Sequence, residues 1–134
     1  MNEVLLDTDM LSFFLRNVPK VMAEANNYLK FHKGFTFSVI TNFAILRGLK
    51  IKNAQRQITT FALIRLQSRE INLTDEIIIR AADIYADLYK RGLLILDADI
   101  LIAAAALEND LPIVTNNESH FNRITGLQVL NWSK

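Results

Sequence analysis

The sequence predicts an α/β fold with three layers, α/β/α, built around a parallel sheet of about five strands. Short apolar runs, rich in β-branched and aromatic residues, alternate along the chain with longer segments of helical periodicity. Only four glycines and two prolines interrupt the 134 residues, which indicates long elements and short loops. Because strand and helix alternate throughout, we expect parallel strands covered by helices on both faces.

The size and composition suit a single domain spanning residues 1–134, with 51% apolar residues to form its core. The absence of cysteine excludes a disulfide scaffold, a thiol nucleophile and a Cys-ligated zinc site, and it agrees with a cytoplasmic setting. No apolar run reaches the roughly 20 residues that span a bilayer, and the N-terminus, with Glu3, does not look like a secretory signal. The net charge of +1 excludes a wholly basic surface but allows a basic patch beside an acidic site.

Five segments are predicted to be strands. The first, EVLLDT, is a short apolar run typical of a buried strand, and the second, GFTFSVI, is rich in aromatic and β-branched residues. REINL, LPIVT and LQVLNW are short segments of the same kind. The five segments cover residues 3–8, 34–40, 69–73, 111–115 and 127–132.

Helical periodicity occupies the segments between these strands. The clearest helix covers residues 74–92, where Thr74 is the expected N-cap, acidic residues follow it, and basic residues precede a terminal glycine. Thr41 is predicted to be the N-cap of a shorter helix that stops at Gly48. The remaining helical segments are predicted over residues 13–15, 21–29, 54–67, 97–110 and 120–124.

Polar residues stand where the predicted strands end. Asp7 follows the first strand, residues 41–44 follow the second, and residues 116–118 follow the fourth. Asp97 and Asp99 begin an apolar helix and can point to the same rim. In open α/β sheets, ligands bind beyond the carboxyl ends of the strands, so this rim is the expected site.

Clustered carboxylates at such a rim require a cation, because like charges repel one another. Oxygen ligands without histidine or cysteine favour Mg²⁺ or Mn²⁺, which can activate water and neutralise a phosphodiester. A purely structural alternative stays open for Asp99 and Asp97, either of which could cap its helix. Asp9 could likewise cap or begin the helix that follows the first strand. A purely structural role is less favoured for Asp7, since a carboxylate at the end of a buried strand is energetically costly unless it binds a partner or a cation.

Four stretches of the chain resemble the motifs of PIN-domain ribonucleases, in order and spacing, and most closely those of VapC toxins from bacterial VapBC toxin–antitoxin modules. These are LLDTDMLS, SVITNFAILRG, GLLILDADILIAAAAL and PIVTNNESHFNRITGLQVLNW, which together span essentially the whole chain. The resemblance implies a three-layer PIN-like fold and an endoribonuclease that depends on Mg²⁺ or Mn²⁺. It also implies a homodimer, inhibition by a VapB-type antitoxin, and an RNA substrate, often tRNA.

The resemblance assigns site residues position by position. Asp7 matches the first acidic residue of the family, and Asp99 matches the aspartate that opens the DxxIA motif; these two are the implied metal ligands. The fourth position falls on Asn117, and the second, a glutamate in T-x-x-E, falls on Ala44. Three neighbouring residues could support the site: Asp97, Thr115 and Asn116.

Ala44 is the departure from the family pattern. A glutamate there would close a capping box with Thr41 and aim a carboxylate at the metal, and no acidic residue lies between Glu24 and Glu70 to replace it. Two explanations stay open: a laboratory Glu-to-Ala variant of a toxic enzyme, favoured by the otherwise intact motifs, or a naturally degenerate domain. Either way, the chain as given is expected to be a weak or inactive nuclease. The alternative function is a PIN scaffold that serves as a protein- or RNA-binding module.

A basic segment follows the second motif and contains Arg47, Lys50, Lys52 and Arg56. It could hold RNA phosphates near the metal, or it could be an ordinary solvated surface. A phosphorelay receiver domain is a competing α/β class with an acidic Mg²⁺ site. It is disfavoured because PIVTNN lacks the lysine that a receiver would need near its last strands.

Overall fold

The computed structural model describes residues 2–134, which form five strands and seven helices. The strands are β1 (Leu5–Leu6), β2 (Thr36–Ser38), β3 (Arg69–Ile71), β4 (Ile113–Val114) and β5 (Val129–Leu130). The helices are α1 (Thr8–Leu15), α2 (Pro19–Tyr28), α3 (Val39–Ile51), α4 (Gln55–Gln67), α5 (Asp75–Lys90), α6 (Asp97–Glu108) and α7 (Glu118–Phe121). Each predicted strand segment contains one observed strand, and the observed strands are shorter.

All strand pairings are parallel, as predicted, but the hydrogen-bonded ladders form two groups. One has the order β1-β4-β5, and the other pairs β2 with β3. β1 lies beside β2, and side chains join the two groups there. The Thr36 hydroxyl donates to the Glu3 carboxylate over 2.6 Å, and the Arg69 guanidinium binds the same carboxylate at 2.9 Å.

Helices cover both faces of the sheet, which confirms the three-layer α/β/α prediction. Alternate residues of the central strands point to opposite sides, as the period of two requires. Leu5 and Ile113 pack with α5 and α6 in one core, whereas Leu6 and Val114 pack with α1 and α2 in the other. α6, as its composition predicts, is buried on most sides.

The start and end of α3 differ from the prediction. The N-cap is Ser38, whose hydroxyl accepts a hydrogen bond from the Thr41 amide at 3.3 Å. The Thr41 side chain instead lies 3.0 Å from the Thr8 hydroxyl, so it joins α1 to α3. The predicted stop at Gly48 is wrong, because the helix continues to Ile51 and its last turns pack on the core through Leu49.

Other element ends give a mixed result. Thr74 caps α5, as predicted, by accepting from the Ile77 amide at 3.2 Å. α6 begins at Asp97 with Leu96 as its N-cap and no side-chain capping bond, so neither Asp97 nor Asp99 caps it. The last helix starts at Glu118 rather than at residue 120. Among residues 2–134, no helix has the length and apolarity needed to cross a membrane.

Candidate active site

A cleft of about 420 Å³ opens at the rim of the sheet. Its wall includes all four residues of the predicted constellation: Asp7, Ala44, Asp99 and Asn117. They come from the N-cap of α1, the middle of α3, the first turn of α6 and the N-cap of α7. The fold thus brings together side chains that lie up to 110 residues apart in the sequence.

Asp7 is the most buried carboxylate near the cleft, with 5% of its surface exposed. One oxygen accepts from the Thr8 amide at 2.8 Å and caps α1, and the other accepts from the Thr115 hydroxyl at 2.8 Å. Burial, reinforced by the nearby Asp9 charge, raises the pKa of Asp7 to about 7, although both hydrogen bonds oppose the rise. Its ionised form is therefore costly in this setting without a cation.

Asp9 is a further carboxylate of the cleft that the sequence reasoning missed as a site residue. Its Oδ2 accepts from the Asn116 amide at 3.0 Å, and Thr115 lies 3.5 Å away. Its Oδ1 is buried without a hydrogen-bond partner in the described chain. Burial raises the pKa of Asp9, as it does for Asp7. The two-residue spacing of Asp7 and Asp9 in LLDTD is the signal that could identify it, although an acidic residue there is equally typical of a helix start.

Asp99 and Asn117 meet at His120. The His120 Nδ1 atom lies 3.6 Å from an Asp99 carboxylate oxygen and 2.7 Å from the Asn117 side-chain nitrogen. Burial raises the pKa of Asp99, and the neighbouring imidazole acts in the opposite direction. His120 therefore contacts two predicted site residues, rather than making only a local hydrogen bond.

The three predicted supporting residues, Asp97, Thr115 and Asn116, differ in burial and in their contacts. Thr115 is fully buried behind Asp7, and its hydroxyl also accepts from the Asn117 amide at 2.9 Å. Asn116 is exposed and uses its side chain to bind Ser133 at 2.7 Å. Asp97 is exposed and does not line the cleft. Of the three, Thr115 has the contacts that fix the orientation of an acidic site residue.

The oxygen donors of the cleft suit a hard cation, but the set of metal ligands is incomplete. Three carboxyl groups with raised pKa values, Asp7, Asp9 and Asp99, gain from a positive charge, and the unpartnered Asp9 oxygen offers a free donor. Oxygen ligands of this kind prefer Mg²⁺ or Mn²⁺. Within residues 2–134, however, no three acidic, histidine or cysteine side chains are grouped closely enough to hold a metal, and Ala44 contributes only a methyl.

Basic side chains line another part of the same cleft. Lys52 lines it, as does Arg16, which the sequence reasoning did not single out. The other predicted cations, Arg47, Lys50 and Arg56, are exposed but lie outside the cleft wall, and Arg47 stacks over Phe43 at 5.3 Å. The cleft is therefore acidic at the start of α1 and basic at the ends of α1 and α3.

The chain is similar in sequence and in fold to several known proteins. The chain is 34% identical to Ribonuclease VapC1 of Methanocaldococcus jannaschii over 68% of its own length and 65% of that protein. It is 28% identical to Ribonuclease VapC1 of Haemophilus influenzae strain R2866, over 97% of this chain and 98% of the relative. The solved structure of VapBC-1 from nontypeable Haemophilus influenzae superposes with a TM-score of 0.85 and 27% identity, covering 99% of this chain and 100% of that one. The PIN domain family matches residues 4–127, and the chain accordingly belongs to the PIN-domain family.

Proposed function

We propose that this chain is the metal-dependent endoribonuclease toxin of a toxin–antitoxin module, with tRNA or another structured RNA as its substrate. The observation that carries the proposal is the convergence of Asp7, Ala44, Asp99 and Asn117 on one cleft. The names of the relatives, Ribonuclease VapC1, support the same reaction class. As given, with alanine at residue 44, the chain is a weak or inactive form of that enzyme.

Asp7 and Asp99 would hold Mg²⁺ or Mn²⁺, which when bound supplies charge neutralisation at a phosphodiester and an activated water. The protein's own contribution is orientation. Thr115 fixes one oxygen of Asp7 and the amide of Asn117, while His120 contacts the side chains of Asn117 and Asp99. These contacts would orient the donors before a metal binds, and partners that orient metal ligands in this way increase metal affinity.

Residue 44 supports the view that one donor is missing. It lies in the cleft wall, so a longer acidic side chain there would extend toward the region that Asp7 and Asp99 share. Losing one carboxylate lowers the ligand charge and leaves the coordination geometry less defined. A partial donor set is thus consistent with weak activity on an otherwise assembled site.

The decisive experiment substitutes Ala44→Glu and assays cleavage of total tRNA with Mg²⁺ or Mn²⁺, with and without EDTA. We expect metal-dependent cleavage by Ala44→Glu, little by the chain as given, and little by the matched neutral control Ala44→Gln. A folded Ala44→Glu protein that binds metal and leaves every RNA intact would overturn the proposal. The codon at position 44 of the source gene would separate an introduced alanine from a natural one.

The proposal includes a VapB-type antitoxin as partner, a homodimeric toxin and a cytoplasmic location. The VapBC-1 complex of the structural relative supports the first of these. An acidic cleft without its cation attracts a basic side chain, so we expect an arginine or lysine of the antitoxin near Asp7 and Asp99. Binding of the cognate antitoxin should weaken in Asp7→Asn with Asp99→Asn, measured by calorimetry. Unchanged affinity would exclude this docking mode.

A second candidate function is a binding module on a PIN scaffold that lacks catalysis. Two observations favour it: the methyl at residue 44 and the lack, among the described residues, of a three-ligand metal group. The Ala44→Glu assay separates the candidates, because a scaffold that never catalysed would not gain cleavage from one carboxylate.

A further inference from the structure

The positive charge of the chain is segregated. Residues 25–69 contain eight lysines and arginines and no acidic residue, although the net charge of the whole chain is only +1. Lys52, which belongs to this stretch, and Arg16, which precedes it, lie on the same cleft. Arg16, at the C-cap of α1, and Lys52, at the C-cap of α3, both line the cleft that holds Asp7 and Asp99.

Neither cation is neutralised in the part of the chain that the structure describes. Arg16 and Lys52 are both exposed, and no carboxylate within residues 2–134 forms an ion pair with either. The Arg16 guanidinium rests over the Phe13 ring at 5.1 Å, a contact that restricts it without using its hydrogen-bond donors. A free, oriented guanidinium and a free ammonium on one cleft wall are suited to an anion.

An ordinary role at helix ends does not account for both residues. Basic side chains are favoured at the C-terminal end of any helix, so each of them alone could be a dipole partner. That role does not require two different helices to deliver unpaired cations into the same cleft. A role at the helix ends also does not explain what precedes the two cations. About two turns before Arg16 stands Asp7, and about two turns before Lys52 stands Ala44, where the family pattern has a carboxylate.

The geometry fits a polyanion rather than a single phosphate. Arg16 lies nine positions beyond the Asp7 cap of α1, so these two ends of the cleft are about 13 Å apart at ~1.5 Å per residue. Ala44 and Lys52 are eight positions apart on α3, which corresponds to about 12 Å at ~1.5 Å per residue. At ~3.4 Å per phosphate along a helical strand, this distance covers about three or four nucleotides.

We propose that Arg16 and Lys52 form a phosphate-binding pair that fixes the path of an RNA strand across the cleft, several nucleotides from the phosphate at the carboxylates. The inference rests on the proposed function and adds to it a substrate-binding subsite. RNA is the occupant that needs both ends of the cleft: carboxylates with a cation at one phosphate, and direct cationic contacts at another. An acidic peptide would engage only the basic end.

The test measures binding alone, so it does not depend on whether residue 44 permits cleavage. A 5′-fluorescein-labelled decauridine is titrated with the unmodified chain in buffer that contains Mg²⁺. The titration is repeated at KCl concentrations from 50 to 200 mM, and a gel checks that the RNA stays intact. Each lost phosphate contact should reduce the log–log salt slope by about 0.7, which corresponds to about fivefold in affinity near 0.1 M salt. Arg16→Ala with Lys52→Ala should therefore weaken binding about 25-fold and reduce the slope by about 1.4.

The matched control is Lys30→Ala with Lys90→Ala. Both lysines are exposed and outside the cleft, and their removal changes the net charge by the same amount. The control should bind within about twofold of the unmodified chain, as expected when no phosphate contact is lost. The charge-preserving pair Arg16→Lys with Lys52→Arg should retain most of the affinity, and thermal melts should show that all variants are folded.

Three results would overturn the inference: no measurable binding of decauridine by the unmodified chain, equal losses in the cleft and control variants, or no loss in the cleft variant. Displacement of the RNA by a ten-residue polyglutamate at equal concentration would assign the pair to an acidic protein partner instead, and would also overturn it. Failure of the proposed function is a separate result. If Ala44→Glu leaves RNA uncut while the Arg16 and Lys52 variants still bind RNA weakly, only the proposed function fails. If Ala44→Glu cuts RNA while those variants bind it normally, only this inference fails.

Discussion

The Thr115 hydroxyl donates a hydrogen bond of 2.8 Å to the Asp7 carboxylate, across 108 positions of sequence and at a site where both side chains are buried. The same hydroxyl accepts from the Asn117 amide at 2.9 Å. It thus couples the end of β1 to the loop after β4. It also keeps the pKa of Asp7 lower than burial alone would set it, although the net shift is still upward, to about 7.

We first predict that the metal-free protein loses stability as the pH rises from about 4 to about 7. The unfolded chain releases the Asp7 proton near the ordinary pKa of 3.8, whereas the folded chain holds it until about 7. Over that window the unfolded state binds fewer protons, so the free energy of unfolding falls, by on the order of 2–4 kcal/mol for Asp7. The raised pKa values of Asp9 and Asp99 act in the same direction.

Urea denaturation in EDTA at pH 4.5 and 7.5 measures this loss. Asp7→Asn removes the titrating group at residue 7 and should show a flatter profile. Thr115→Val removes the hydrogen bond that lowers the pKa of Asp7, so it should extend the loss to higher pH. An identical pH profile for the unmodified chain and Asp7→Asn would show that Asp7 does not titrate as described.

The sequence predicted the layers of this fold because their signals are local and repeated. Alternating apolar strands and amphipathic helices appear within windows of a few residues, and Thr74 caps α5 as its sequence context indicated. The start of α3 was mispredicted because Ser38 and Thr41 are both good caps. The choice between them depends on Thr8, which lies 33 positions from Thr41 and takes the Thr41 side chain as its partner.

Motifs predicted the candidate site residues, and they did not predict the contacts that those residues make. Asp9 looks like any acidic residue of a first helical turn until the fold brings the Asn116 amide to it. Arg16 likewise looks like any basic residue at a helix end until α3 places Lys52 on the same cleft wall. Both positions depend on long-range packing, which no single-sequence pattern contains.

The second prediction concerns two glycines in different environments. Gly48 lies inside α3 with no atom within 4 Å of a new Cβ, so Gly48→Ala should stabilise the protein by about 0.5–1 kcal/mol. A Cβ at Gly34 would lie 2.0 Å from the Gln67 carbonyl oxygen, so Gly34→Ala should be destabilising by about 2 kcal/mol or more. Thermal unfolding of the two variants checks the opposite signs. Destabilisation by Gly48→Ala would indicate that α3 ends earlier than Ile51.

The third prediction concerns His120 as a positioning residue. Its imidazole contacts Asp99 and Asn117, and orienting partners of this kind typically contribute tenfold or more to metal affinity. His120→Ala should therefore weaken Mn²⁺ binding about tenfold in calorimetry. His120→Asn, which keeps a short polar group near Asn117, should recover part of the loss. Equal Mn²⁺ affinity in all three proteins would limit His120 to a structural role.

The last prediction concerns the response of residue 44 to metal. Ala44→Glu adds a carboxylate to a cleft that already holds three carboxyl groups with raised pKa values, so like-charge repulsion should lower its metal-free stability. A glutamate at residue 44 would offset this repulsion if it closed the capping box with Thr41 that the sequence predicts. The structure excludes that offset, because the cap is Ser38 and residue 44 lies six positions further along the helix.

Mg²⁺ should stabilise Ala44→Glu more than the unmodified chain, since the stabilisation by a ligand grows with the logarithm of its concentration relative to the Kd of the native state. If the added carboxylate tightens binding about tenfold, saturating Mg²⁺ should stabilise Ala44→Glu by about 1.4 kcal/mol more than the unmodified chain, or roughly 4–6 °C. Melting curves across a Mg²⁺ titration measure the difference. Ala44→Gln, with the same length and no charge, should melt like the unmodified chain at every Mg²⁺ concentration. If Ala44→Glu and Ala44→Gln respond equally to Mg²⁺, residue 44 does not face the cation, and its alanine does not explain a loss of activity.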